Sequence, residues 1–199
     1  MNTLDKMRSR WYDLIHNVDT RTIVPLAKLD VVGQNKSLGF MYFPTLPKSM
    51  HALFGRLKDL DPLTTFIDVG CGKGIALLVA SRYPFKKIVG VEFSRELCRI
   101  AAQNIENYRG SRSSTNIEVL CMDATEYAFP DGNLLVYFYN PFDKTVMEKV
   151  LKNLTFSIAT EKRAVTVICD RLHDRELITN YLHPQKCDVF LGFSIYSQF

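Results

Sequence analysis

The chain has 199 residues, 47% of them hydrophobic and 23% charged, with a net charge of +4. That length suits one domain with a full core, and so mild a basic excess gives no ground for a nucleic-acid partner. No apolar run reaches the roughly 18 residues of a membrane span, and Met1 to Asn17 is mixed and charged, unlike a signal peptide, so a cytoplasmic protein with no membrane association is expected. The five cysteines show no CxxC spacing and read as free thiols of a reducing compartment, and the four histidines form no ligand pattern, so no metal is expected.

Met1 to Val18 predicts an amphipathic helix, with Leu4, Met7, Trp11 and Leu14 or Ile15 at helical spacing and Lys6, Arg8 and Arg10 among them. It reads either as a helix packed on the body with a solvated basic face or as a substrate-facing cap. Asp19 to Met50 is irregular and rich in proline and glycine. Within it, Gly39 to Thr45 sets two aromatics and a hydroxyl before a helix start. Thr45 either caps that helix, with Pro47 in its first turn, or belongs with Tyr42 to a flap over a ligand. Ser49 to Leu60 predicts the helix that leads into the first strand.

Thr65 to Glu92 organises the rest, in the form strand, glycine loop, helix, strand, acid. Phe66 to Val69 is a short apolar run suited to a buried parallel strand. Gly70, Gly72 and Gly74 follow at alternate positions, where the missing Cβ lets backbone N–H groups approach a ligand. Ile75 to Arg82 is an apolar helix, Ile88 to Val91 the next strand, and Glu92 stands at its carboxyl end. A carboxylate about 20 residues past such a loop is placed to accept hydrogen bonds from ribose hydroxyls. The dinucleotide pattern GxGxxG fails here, because Ile75 occupies its third glycine. Lys73 is not followed by the Ser or Thr that a P-loop needs.

Ser94 is a plausible N-cap for a helix whose stripe is Leu97, Ile100, Ala101, Ile105 and Tyr108, closed by Arg109-Gly110. Ile117 to Met122 predicts a third strand ending at Asp123, Leu134 to Tyr139 a fourth ending at Asn140, and Ala164 to Cys169 a fifth ending at Asp170. Helices are expected over Lys144 to Ile158 and Asp174 to Leu182, and one or two last strands over Cys187 to Phe199, with a bend or bulge at Gly192. The alternation predicts an α/β, doubly wound sheet. Five strands would present Asp68, Glu92, Asp123, Asn140 and Asp170 at their carboxyl ends, where open α/β sheets bind ligands.

The run Asp68-x-Gly70-x-Gly72-x-Gly74 followed by Glu92 resembles motif I and the ribose-binding acid of the class I S-adenosylmethionine-dependent methyltransferases. The resemblance covers about Phe54 to Phe199. It implies a Rossmann-like, mostly parallel sheet of seven strands or nearly so, with residues 1–53 as a cap and cofactor-covering flap and 54–199 as the methyltransferase domain. It implies S-adenosylmethionine as cofactor, held by Asp68, Gly70, Cys71, Gly72, Gly74, Glu92 and Phe93. It also implies an adenine site at Met122, Asp123 and Ala124 and a cofactor contact from Asn140, while on the flap reading Tyr42 and Thr45 would supply hydrogen bonds to the methionine end. For Asp123, a local N-cap is the alternative role.

Asn140-Pro141-Phe142 is similar to the (Asp/Asn)-Pro-Pro-(Tyr/Phe) motif of amino methyltransferases, with one proline missing. There the Asn oxygen and a backbone carbonyl accept hydrogen bonds from the target amine and the aromatic packs on it. This makes Asn140, Pro141, Phe142 and Tyr42 the candidate catalytic residues. Taken whole, the chain resembles small bacterial methyltransferases with a Tyr-x-Pro-Thr flap, and more distantly protein-lysine methyltransferases outside the SET family. The implied activity is methyl transfer to an amine, with a protein lysine as one acceptor. The alternatives are an O- or N-methyltransferase of a metabolite or sugar, and a non-catalytic binding protein. A nucleic-acid acceptor is disfavoured by the modest charge.

Overall fold

The computed structural model describes residues 3–22, 24, 30–32, 44–57, 61–139, 142–171 and 175–197. The strands are β1 (Thr65–Val69), β2 (Lys87–Glu92), β3 (Ile117–Cys121), β4 (Leu134–Tyr139), β5 (Val165–Asp170), β6 (Lys186–Phe190) and β7 (Phe193–Ser197). They form one sheet in the order β3-β2-β1-β4-β5-β7-β6. The first five run parallel, and β7 enters antiparallel between β5 and β6. The helices are α1 (Thr3–His16), α2 (Pro47–Arg56), α3 (Ile75–Ala80), α4 (Arg95–Asn107), α5 (Lys144–Thr160) and α6 (Arg175–Leu182).

The central strands are buried on both faces, which is why β1 and β4 read as continuous apolar runs rather than alternating ones. One face carries Ile67, Val136, Phe138 and Val167 against α5 and α6. The other carries Phe66, Leu135, Tyr137 and Ile168 against α2 and α3. Each buried side chain of this size contributes about 1.5–3 kcal/mol, so the sheet is a rigid plate for whatever sits at its edge. Gly90 of β2 marks the closest approach. A Cβ there would lie 2.6 Å from Cys71 Sγ and 2.7 Å from Leu77 Cδ1, so only glycine lets the loop and α3 seat on the strand.

Three local expectations are corrected. Helix α1 forms, but its predicted apolar stripe faces outward: Leu4, Met7, Trp11, Leu14 and Ile15 are 53–72% exposed, whereas Ser9 and Asp13 are buried. Asp13 decides this, because its carboxylate accepts from Thr20 N, Thr20 Oγ1 and Arg21 N and so ties the next turn under the helix. Tyr12 and His16 add a ring contact that continues onto Tyr108. Second, Thr45 does not cap α2: the cap position is Leu46, with no side-chain bond, and Pro47 opens the helix. Third, Gly192 is neither a lone bend nor a bulge. Leu191 and Gly192 both have positive φ, 49° and 93°, the two-residue turn that matches hairpin twist.

Candidate functional site

The carboxyl ends of β1, β2 and β3 meet around the glycine loop. Gly70 N and Cys71 N donate to Val91 O at 2.8 and 3.1 Å, and Gly74 N donates to Cys71 O at 2.9 Å. Gly72 N donates to Glu92 Oε2 at 2.8 Å. These N–H groups are therefore spent inside the fold, a correction to the expectation that they face a ligand. Positive φ at Gly70, Gly72 and Gly74 (84°, 54° and 81°) makes this folding-back possible. A loop so bonded is a poor phosphate cradle and instead serves to hold Glu92.

Glu92 is pinned from a second side, with Ser94 N donating to Oε1 at 2.9 Å. Each carboxylate oxygen keeps acceptor capacity beyond one such bond. Burial pushes the Glu92 carboxyl up, and the Ser94, Gly72 and Phe93 N–H groups pull it back down. Asp68, at the end of β1, is fully buried, and burial with the adjacent Glu92 charge pushes its carboxyl up to about 8. The cation closest in sequence, Lys73, offers no relief. Its buried ammonium bonds Asp19 Oδ2 at 2.8 Å. Asn104 closes this arrangement, donating to Lys73 O and Asp19 O and accepting from Asp19 N. The loop lysine thus anchors the segment after α1 and holds no phosphate.

A narrow cleft opens beside the loop, lined by Gly70, Val91, Phe93, Met122, Asp123, Ala124, Phe142 and Val146. Six of these were read from the sequence as site residues, while Val91 and Val146 were not. Both are apolar residues of regular elements and carry no local signature. Asp123 fills the capping role weighed for it: its Oδ1 accepts from Thr125 N and Oγ1 at 2.9 and 2.8 Å, capping the turn Ala124–Glu126, and the residue also lines the cleft. Cys71 is buried against Gly90 and is not among the cleft residues. Tyr42, Asn140 and Pro141 lie outside the described residues.

Along the same edge, at β4 and β5, Thr45 Oγ1 lies 3.2 Å from the hydroxyl of fully buried Tyr137. Nearby, burial pushes the Asp170 carboxyl up and the Arg171 guanidinium charge pulls it back down. Sequence reading missed the Thr45 to Tyr137 contact because the partners stand 92 residues apart.

The residues present fit S-adenosylmethionine. Its sulfonium and ammonium charges suit a pocket edge holding buried, cation-poor carboxylates, its ribose suits Glu92, and it has no phosphate to demand loop N–H groups. Among the described residues, no group of three His, Cys, Asp or Glu side chains could hold a metal ion.

Residues 66–158 match the family model described as a methyltransferase domain. Among solved structures, a predicted N6-adenine-specific DNA methylase from Listeria monocytogenes superposes with a TM-score of 0.59 at 15% identity, over 78% of this chain and 51% of that one. This chain thus spans about half the length of that protein. A ribosomal protein L11 methylase from Lactobacillus delbrueckii subsp. bulgaricus gives 0.53 at 17% identity, over 87% and 91%. A mitomycin 7-O-methyltransferase gives 0.53 at 15% identity, over 76% and 52%. The likeness is one of fold, an α/β methyltransferase sheet of seven strands.

Proposed function

We propose that this chain, an S-adenosylmethionine-dependent methyltransferase of the class I, Rossmann-like kind, methylates an amine, with a lysine of a protein as the leading acceptor. When bound, the cofactor supplies a methyl group activated by its sulfonium. Glu92 binds the ribose hydroxyls, Asp123 the adenine amino group, and Asp68 faces the positive charge. Phe93, Met122, Ala124 and Val146 enclose the ring and exclude water from it.

One observation supports the amine reading above the others. Phe142, the last residue of the Asn-Pro-Phe run, lines the same cleft as Gly70 and Asp123. This supports a reading in which Phe142 packs on the target amine and Asn140 accepts from its N–H. Alignment of acceptor and methyl can contribute about 7–11 kcal/mol without any covalent enzyme intermediate.

The test is transfer of labelled methyl into a host-cell lysate, separated into protein, nucleic acid and small molecules. Label in protein, recovered after hydrolysis as methylated lysine and lost with Glu92→Ala, is the expected result. Label in the small-molecule fraction would replace this reading with a metabolite methyltransferase, and nuclease-sensitive label with a nucleic-acid enzyme.

A further inference from the structure

We infer that the outward face of α1 and the groove between α1 and α4 form a docking site for an acidic, apolar segment of a partner protein. This site shares no residue with the cofactor cleft and stands whatever atom is methylated. Among the described residues nine large hydrophobic side chains are exposed, and five of them, Leu4, Met7, Trp11, Leu14 and Ile15, sit on this one helix. The first four are spaced three and four residues apart. With Ile15 they form one stripe, about 17 Å long at the helical rise. A contiguous apolar patch marks an interaction surface, whereas hydrophobic residues exposed singly do not.

The helix is not free to turn this stripe inward. Its opposite face is tied down by the Asp13 network and by the ring contacts of Tyr12 and His16. Its end is fixed too, because Val18 N donates to Asp13 O at 3.0 Å and Arg109 N to His16 O at 3.1 Å. The face is therefore preformed, which lowers the ordering cost of binding. Beside the stripe lies an open groove of about 660 Å³, into which Leu14, Val18 and Ile100 carry the apolar surface. Arg10, Arg21 and Arg99 line it as well. None of the three forms an ion pair among the described residues. The two acids of the groove are engaged within the fold, Asp13 by Thr20 and Arg21 N, and Asp19 by Lys73. The groove thus keeps an uncompensated positive charge. On α1 itself, exposed Arg8 and Arg10 fall one on each side of the stripe.

Charge and shape select the occupant. Carboxylates suit the guanidiniums, which take them in bidentate pairs, and apolar side chains suit the stripe. Asn17 and Asn107, also in the groove, offer amide groups to a peptide backbone. A second copy using the same face would set arginine against arginine. A nucleic acid would meet aliphatic side chains along most of the stripe, where it needs cations and stacking rings. A bilayer is too flat to enter a groove between two helices.

Trp11 is the only tryptophan of the chain, so its fluorescence reports on this face alone. The test titrates a tryptophan-free amphipathic peptide of leucine and glutamate into the whole protein at neutral pH, with a leucine and lysine peptide as control. The glutamate peptide should bind saturably, shift Trp11 emission to the blue and bind less tightly as salt rises. The lysine peptide should bind roughly tenfold more weakly. Arg10→Glu, Arg21→Glu and Arg99→Glu together should weaken the glutamate peptide roughly tenfold and strengthen the lysine peptide, an exchange that lost folding does not produce. Should that variant fail to fold, Arg99→Glu alone should lose severalfold for the glutamate peptide. Equal binding of the two peptides by wild type, or no saturable shift, overturns the assignment. So does a shift driven by phosphatidylserine vesicles or single-stranded RNA and not by the glutamate peptide, or one that follows protein concentration alone. Those outcomes would mark a membrane, a nucleic acid or a second copy as the occupant.

Discussion

The two halves of this sheet edge are hydrogen-bonded by different means. At β1, β2 and β3, Glu92 and Asp123 are fixed by backbone N–H groups of Gly72, Ser94 and Thr125. At β4, the buried polar contact is between two side chains, the Tyr137 hydroxyl and Thr45 Oγ1, 3.2 Å apart. Backbone donors come with the turn and cannot be mutated away, which suits a cofactor that never changes. Side-chain donors can be exchanged one at a time.

The strongest attack on this contrast is Glu92→Ala. It removes charged hydrogen bonds to the cofactor, each worth about 1.5–3 kcal/mol, so S-adenosylmethionine affinity should fall by roughly 100-fold in calorimetry. Retained affinity would mean that the backbone-held half does not bind the ribose. Gly90→Ala acts on the support instead: with a Cβ 2.6 Å from Cys71 Sγ, overpacking should cost about 1–3 kcal/mol, read as a lower denaturant midpoint. An unchanged midpoint would show that the loop seats without the close approach. Asp19→Ala leaves the buried Lys73 ammonium without its carboxylate, and because Asp19 is half exposed the expected loss is nearer 1 kcal/mol. Chemical denaturation measures it.

The smallest effect sharpens the comparison through pH. Asp68 has its carboxyl raised to about 8 in the fold, so between the unfolded value and that pH the folded chain holds a proton the unfolded chain has released. Stability of the free protein should therefore fall as pH rises through this window. A cationic cofactor prefers the ionised acid, so its affinity should climb severalfold from about pH 7 to about pH 8.5 and level off above, with Asp68→Asn flattening the curve. A flat wild-type profile would remove Asp68 from cofactor binding.

The same contrast governs what could be read from the chain. Asp68, the glycines and Glu92 fall within one strand–loop–helix–strand window, where local turn chemistry dictates the contacts. The strand ends, Asp170 included, followed from alternation alone. The contact of Thr45 with Tyr137 did not, because the two come together only through the tertiary fold. Helix α1 shows the other gap: periodicity marks a helix and its two faces, but the buried Asp13 network, which no period reveals, selects the face that packs.

Strand β7 separates β6 from β5. During synthesis, Lys186–Phe190 emerges before the strand it must pair with, and has no place on the sheet until Phe193–Ser197 follows. Pairing of Asp170 with Phe193 waits for the same residues. The five parallel strands are therefore all made before either antiparallel strand can take its place.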